Sequence, residues 1–120
     1  MNLIKGKVKG GKIPFGNLQL DVAKKLGDKA KKYEGKEVVF GFRPEAISLK
    51  NAADGYAIRA RVELTEMLGD NTNVYIKMKE QNAILKVDPH DTPDTDSSIT
   101  FSIPYGNVYL FDGETENVIR

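Results

Sequence analysis

Cysteine is absent from the 120 residues, which excludes a disulfide framework, a thiolate metal site and a cysteine nucleophile. There is no tryptophan and only one histidine, His90, which cannot complete a zinc site alone. No G-x-S-x-G elbow is present either, so nucleophilic catalysis has little support. No apolar run approaches the ~20 residues of a membrane-spanning helix. Met1-Asn2-Leu3-Ile4-Lys5 turns polar at once and does not read as a signal peptide. Internal repeats and low-complexity segments are also missing, and a cytosolic location fits.

What remains is a globular composition, 40% apolar and 29% charged, long enough for one domain with a real core. The net charge of +1 hides an asymmetry. Residues 1–50 carry twelve Lys/Arg against five Asp/Glu, and residues 51–120 carry six against twelve, balances of +7 and −6. The acidic half would repel phosphate, so nucleic acid is not the expected partner. The two halves are expected to face each other, within the domain or across a dimer.

Along the chain, residues 2–9 read as a strand, turned at Gly10-Gly11. Ile13-Pro14-Phe15 then leads through Gly16-Asn17 to Leu18-Gln19-Leu20, a hairpin. Asp21 caps a helix over Val22, Leu26, Ala30 and Tyr33, with lysines on its other face and Gly35 at its end. From Lys36 the period changes to two. Strands are expected at 36–42, 46–50, 56–68, 72–79, 82–87, 98–103 and 107–111, with Leu68-Gly69-Asp70-Asn71 as a turn. Short strands at this spacing predict a closed or nearly closed barrel, not a parallel sheet with crossover helices.

Gly6, Gly11 and Lys12 have the spacing of a phosphate-binding loop. Ile13 stands where the magnesium-binding hydroxyl belongs, and Pro14 where a helix should run, so that reading fails. The loop 88–98 holds four aspartates and His90. Counted from Asp94, Ile99 occupies the calcium-loop glycine position and Tyr105 the glutamate position, which leaves a solvated loop. Glu63 and Glu66 fall on opposite faces of a strand and do not form a carboxylate pair.

The segment Gly41-Phe42-Arg43-Pro44-Glu45-Ala46-Ile47 closes a strand-forming run at a rigid corner. Arg43 and Glu45 could be catalytic, bind a ligand, or hold two strands in register. The residues favour the structural role, because the signs pair and no nucleophile or metal ligand stands near. Both side chains are expected to be partly shielded and hydrogen-bonded, Arg43 to Asp70 or Asp112 and Glu45 to backbone amides.

Val39-Phe40-Gly41-Phe42-Arg43-Pro44-Glu45 resembles the G-x-R-P-E signature of the ATP-binding subunits of maltose-type sugar importers. Leu68-Gly69-Asp70-Asn71-Thr72-Asn73-Val74-Tyr75-Ile76 is similar to the same family's LG…T-x-V-x-V segment. Val108-Tyr109-Leu110-Phe111-Asp112-Gly113-Glu114-Thr115 resembles its closing L-F-D-x-E-T, and Met1-Asn2-Leu3-Ile4 the segment just after the ATPase domain. Four motifs in order span essentially the whole chain.

The resemblance implies a mainly β fold, an OB-like (TOBE/MOP-like) barrel with one short helix, as a single regulatory domain over residues 1–120 detached from its ATPase domain. It implies a non-catalytic regulatory and dimerisation module of an ABC importer for sugars or related solutes. The full-length subunit would form a homodimer, meet transmembrane permease subunits and sometimes a regulatory protein, and lie at the cytoplasmic face of the membrane. It implies no cofactor here, since ATP and Mg would bind the absent ATPase domain, and neither a P-loop nor an LSGGQ-type signature occurs. Gly41, Arg43, Pro44, Glu45, Gly69, Asp70, Phe111 and Asp112 match the signatures and would be architectural or interface residues. Glu116, Ile103-Pro104-Tyr105-Gly106 and the loop 88–98 depart from the pattern. The alternative is a small-oxyanion-binding domain for a molybdate-like ligand, to which the lysine-rich first half would supply charge.

Overall fold

A computed structural model describes residues 1–15, 18–50, 54–78 and 81–119. Three antiparallel sheets are formed by β1 (Asn2–Lys7), β2 (Lys12–Phe15), β3 (Leu18–Asp21), β4 (Glu37–Phe42), β5 (Gly55–Met67), β6 (Thr72–Met78), β7 (Gln81–Val87), β8 (Ser98–Pro104) and β9 (Tyr109–Asp112). Their orders are β1-β4-β9, β2-β3 and β7-β6-β5-β8. The fold is mainly β with one short helix, as expected. The turn at Gly16-Asn17 and the strand end at Lys79 lie outside the described residues.

Alternation builds these strands. In β5, Tyr56, Ile58, Ala60 and Val62 point inward while Ala57, Arg59 and Arg61 point to solvent. Phe15, Phe40 and Phe42 are fully buried and pack on one another, and Phe40 packs on Tyr56, in tilted and edge-on contacts with the rings 5.4–6.5 Å apart. These geometries suit the ring quadrupole and add to area burial. The Tyr56 hydroxyl donates to the Asp21 carbonyl at 2.7 Å. Burial, then the neighbouring Tyr105 and Asp21, raise its pKa well above the ordinary phenol value.

One lacing joins the larger sheets without a continuous ladder, and a second ties the segment after β4 to β8. On one side the Asn2 amide donates to the Ile84 carbonyl and accepts the Ile84 N–H, both at 2.8 Å, tying β1 to β7. On the other, Ser48 and Ser102 exchange two backbone bonds of 2.8 Å, and the Ser102 hydroxyl donates to the Lys50 carbonyl.

Three elements differ from the sequence expectation. The helix over Val22–Tyr33 is one α turn, α1 (Ala23–Leu26), followed by a 3-10 helix, Gly27–Tyr33. Gly27 has φ 60°, a left-handed conformation that interrupts the ladder. Asp21 still bonds the Ala23 N–H, while Val22 and Ala30 are buried. Residues 46–50 are not a strand, and only Ser48 pairs, because the preceding corner is taken up by a turn closed from the Ala46 N–H to the Arg43 carbonyl. The last strand begins at Tyr109, since Tyr105–Asn107 is a 3-10 turn.

Candidate interaction surfaces

The Arg43-Pro44-Glu45 corner is held by its backbone. The Pro44 carbonyl accepts the Lys86 N–H at 2.8 Å, fixing the corner to β7. Both Arg43 and Glu45 are exposed, and neither side chain has a partner among the described residues. The expected contacts of Arg43 with Asp70 or Asp112, and of Glu45 with backbone amides, are therefore corrected. Proline projects the flanking side chains outward while its own carbonyl turns inward. Asp70 accepts from the Asn71 amide, and Asp112 accepts the Glu114 and Thr115 N–H groups at 2.8 and 3.2 Å. Those two bonds, the Glu114 one first, and the charge of Lys36 hold the Asp112 carboxyl below its usual pKa.

The signature residues do not converge on one place. Gly41 is buried in β4, facing Leu3 of β1 and Tyr109 of β9 in register. The next row joins Lys5, Val39 and Phe111. Met1, Leu3 and Phe111 lean over Gly41, so a side chain there would meet the Met1 sulfur at 3.0 Å and the Phe111 ring at 3.1 Å. The outer face of β1-β4-β9 is apolar around Gly41, and beside it Leu3, Val39 and Phe111 line a groove of about 470 Å³ with Lys5, Asp112 and Glu116. Leu3 is 59% and Met1 54% exposed, which is unusual for adjacent large apolar side chains. Gly69 and Asp70 lie elsewhere, in the β5–β6 turn closed by the Leu68 N–H to the Asn71 carbonyl.

Sequence reasoning missed a second apolar surface at that turn. The pairing of β5 with β8 ends at Arg61–Ser98, while its pairing with β6 continues to Met67–Thr72. A bulge between Val62 and Leu64 inserts Glu63 and reverses which residues face inward. Leu64 thereby joins Glu66 on the outer face, and Thr65 and Met67 take the inner one. Beyond the end of β8 the inner face is open as well, so Leu64, Met67 and Leu68 are 54%, 68% and 51% exposed. Glu63, Glu66 and Asp70 are exposed among them. The signal was in the sequence: the run Glu63-Leu64-Thr65-Glu66-Met67-Leu68 breaks the alternation that Tyr56–Val62 keeps.

A groove of about 480 Å³ lies between α1 and the end of the chain. Leu26, Val108, Leu110 and Ile119 line it, with Lys25, Lys29, Tyr109 and Val118. A more basic groove is lined by Lys7, Lys9 and Lys12. Beside it, Gly10 and Gly11, with φ of 62° and 75°, turn successive N–H groups toward one point. The Glu34 carboxylate already takes both, at 2.7 and 2.9 Å. The concavity that would suit an oxyanion is filled from within the chain.

Residues 40–111 match the TOBE domain family, and residues 1–47 match the MalK OB fold domain. The first match takes in more than half of the chain, which belongs to the TOBE domain family. The chain is 33% identical over 130 residues to the oligosaccharides import ATP-binding protein MsmX of Bacillus subtilis (strain 168), matching 100% of this chain and 34% of that protein. It is 29% identical over 115 residues to the sn-glycerol-3-phosphate import ATP-binding protein UgpC of Escherichia coli O157:H7, across 96% of this chain and 32% of that one. The chain thus spans about a third of the length of these relatives. A crystal structure of the cytoplasmic molybdate-binding protein ModG with molybdate bound superposes with a TM-score of 0.66 at 19% identity, over 91% of this chain and 94% of that one, which shows a shared fold.

Proposed function

We propose that this chain is a regulatory and pairing module of the ATP-binding subunit of an ABC importer for sugars or related solutes, with no nucleotide chemistry of its own. One observation carries the reading: the signature residues Gly41 and Phe111 sit with the exposed apolar side chains Met1, Leu3 and Tyr109 on one sheet face. Such a face is built to be covered by protein. In this reading the ATPase domain and the permease subunits lie outside residues 1–120. The working complex is a homodimer at the cytoplasmic side of the membrane, which a regulatory protein can engage at the same module. ATP and Mg belong to the ATPase domain, and Gly41, Arg43, Pro44, Glu45, Gly69, Asp70, Phe111 and Asp112 serve as architectural or interface residues.

The test is a graft. The chain replaces the matching third of the Bacillus oligosaccharide relative, and uptake is measured in cells lacking that protein. Uptake is expected with the graft and is expected to be lost when Leu3→Asp is added, while the free Leu3→Asp chain keeps its melting temperature. A micromolar ATP dissociation constant for the chain alone would sink the reading. So would a rise in melting temperature with molybdate, which would favour the oxyanion alternative; native-state binding at a hundredfold excess over Kd stabilises by about 2.7 kcal/mol.

A further inference from the structure

The turn between β1 and β2 already holds an anion, and that anion belongs to the chain. Gly10 and Gly11, with φ of 62° and 75°, aim successive N–H groups at one point, a conformation that glycine adopts without strain. The two groups bond separate oxygens of the Glu34 carboxylate, Gly10 to Oε2 at 2.7 Å and Gly11 to Oε1 at 2.9 Å. Successive backbone donors of this kind recognise oxyanions in general, and two oxygens of a phosphate group are spaced much like those of a carboxylate. A groove of about 520 Å³ opens beside the turn, lined by Lys7, Lys9, Lys12, Pro14 and Gln19 together with Glu34. Three cations therefore face one carboxylate, and none of the three is ion-paired among the described residues.

We propose that this turn and groove form a binding site for a phosphorylated small molecule, with Glu34 as a built-in competitor that the phosphate displaces. The site stands independently of the importer role argued above. Within that role, its ligand is the phosphate ester of an imported sugar, which reports supply inside the cell.

Charge and tethering set the ligand class. A phosphate monoester carries about −1.5 to −2 at neutral pH, more than a carboxylate, so it gains more from the three lysines. Glu34 is exposed, and the backbone beside it is anchored: the Gly35 N–H bonds the Val8 carbonyl at 2.7 Å, and the Lys36 carbonyl accepts the Val8 N–H at 2.9 Å. The carboxylate can thus swing off the turn by rotation about its own side-chain bonds, with that backbone left in place. A bare oxyanion gains the N–H groups and the lysines alone, and does not hold the site against a tethered carboxylate. The organic part of an ester can also lie against Pro14 and Gln19, both exposed in the same groove. The groove volume falls within the range of small-ligand sites, roughly 300–1,000 Å³.

The test is a titration followed by amide NMR, with glucose 6-phosphate as the probe and glucose and inorganic phosphate as controls. In the unmodified chain the Gly10 and Gly11 signals are expected to move with glucose 6-phosphate at millimolar concentration and to stay in place with glucose. Glu34→Ala should bind the ester about tenfold more tightly, the factor for a carboxylate that occupies the site about nine-tenths of the time. Lys12→Ala, added to Glu34→Ala, should weaken that binding again, and melting temperatures check that both variants are folded. Inorganic phosphate should bind Glu34→Ala more weakly than the ester does. The proposal fails if Gly10 and Gly11 do not move in Glu34→Ala, or if adding Lys12→Ala changes nothing. It fails if Lys24 and Lys31 move as much as the two glycines, which marks general attraction to a basic surface. Inorganic phosphate binding as tightly as the ester would also overturn it, as would binding to the variant alone, since Glu34 then never yields. None of these outcomes bears on uptake by the graft, which tests the importer role separately.

Discussion

Tyr56 is a side chain whose protonation folding shifts strongly. In the unfolded chain its phenol loses a proton near pH 10, whereas burial keeps it protonated in the fold. Its contribution to stability is therefore complete below about pH 10 and is lost as the pH rises above that value. Urea midpoints measured from pH 8 to 11 should fall on the alkaline side, and Tyr56→Phe should flatten that fall. At neutral pH the same variant should cost about 0.5–1.5 kcal/mol for the lost bond to Asp21. An unchanged alkaline slope in Tyr56→Phe would assign the titration to another group. Arg43 and Glu45 behave in the opposite way. The sequence shows two opposite charges across a proline, which reads as a shielded clamp whose loss would cost roughly 3–5 kcal/mol. The fold leaves both exposed and closes the corner through the Pro44 carbonyl. Arg43→Ala and Glu45→Ala should thus shift the urea midpoint by no more than about 0.5 kcal/mol in free energy. Residue type announces a corner, but not which of its atoms makes the long-range bond.

Strands were the legible elements, because burial follows their alternation within a residue or so at most ends. A closed or nearly closed barrel was legible from their spacing, but the side chains that tie one sheet to the next were not. Asn2 and Ile84 are 82 positions apart, and no local pattern marks an asparagine amide that stands in for a backbone partner. Removing that amide leaves the Ile84 N–H and carbonyl without partners in a half-buried seam. Asn2→Ala should destabilise the protein by about 1–3 kcal/mol, read from urea midpoints, with faster hydrogen exchange at the Ile84 amide. Protection at Ile84 unchanged by the substitution would show that backbone packing alone holds β1 to β7. The helix failed for a local reason that the sequence did contain: its apolar spacing was right, but Gly27 takes a left-handed conformation and limits the α-helical part to one turn. The bulge at Glu63 had a similar trace, two charges and three apolar residues out of phase with the strand before them.

At the scale of the whole molecule, the balance of +7 in residues 1–50 against −6 in residues 51–120 was plain from the sequence, and the expectation was that the halves face each other. The sheet β1-β4-β9 mixes strands of both halves, and the ion pair of Arg61 with Asp96 lies within the acidic one. Screening tests whether that asymmetry governs self-association. The Debye length falls from about 10 Å at 0.1 M salt to about 3 Å at 1 M. Association of the chain should be unchanged or strengthened over that range, because apolar burial at the exposed Met1 and Leu3 is not screened. Sedimentation at both ionic strengths checks this. A dimer that weakens at 1 M salt would assign the pairing to the opposite charges of the two halves instead of to the β1-β4-β9 face.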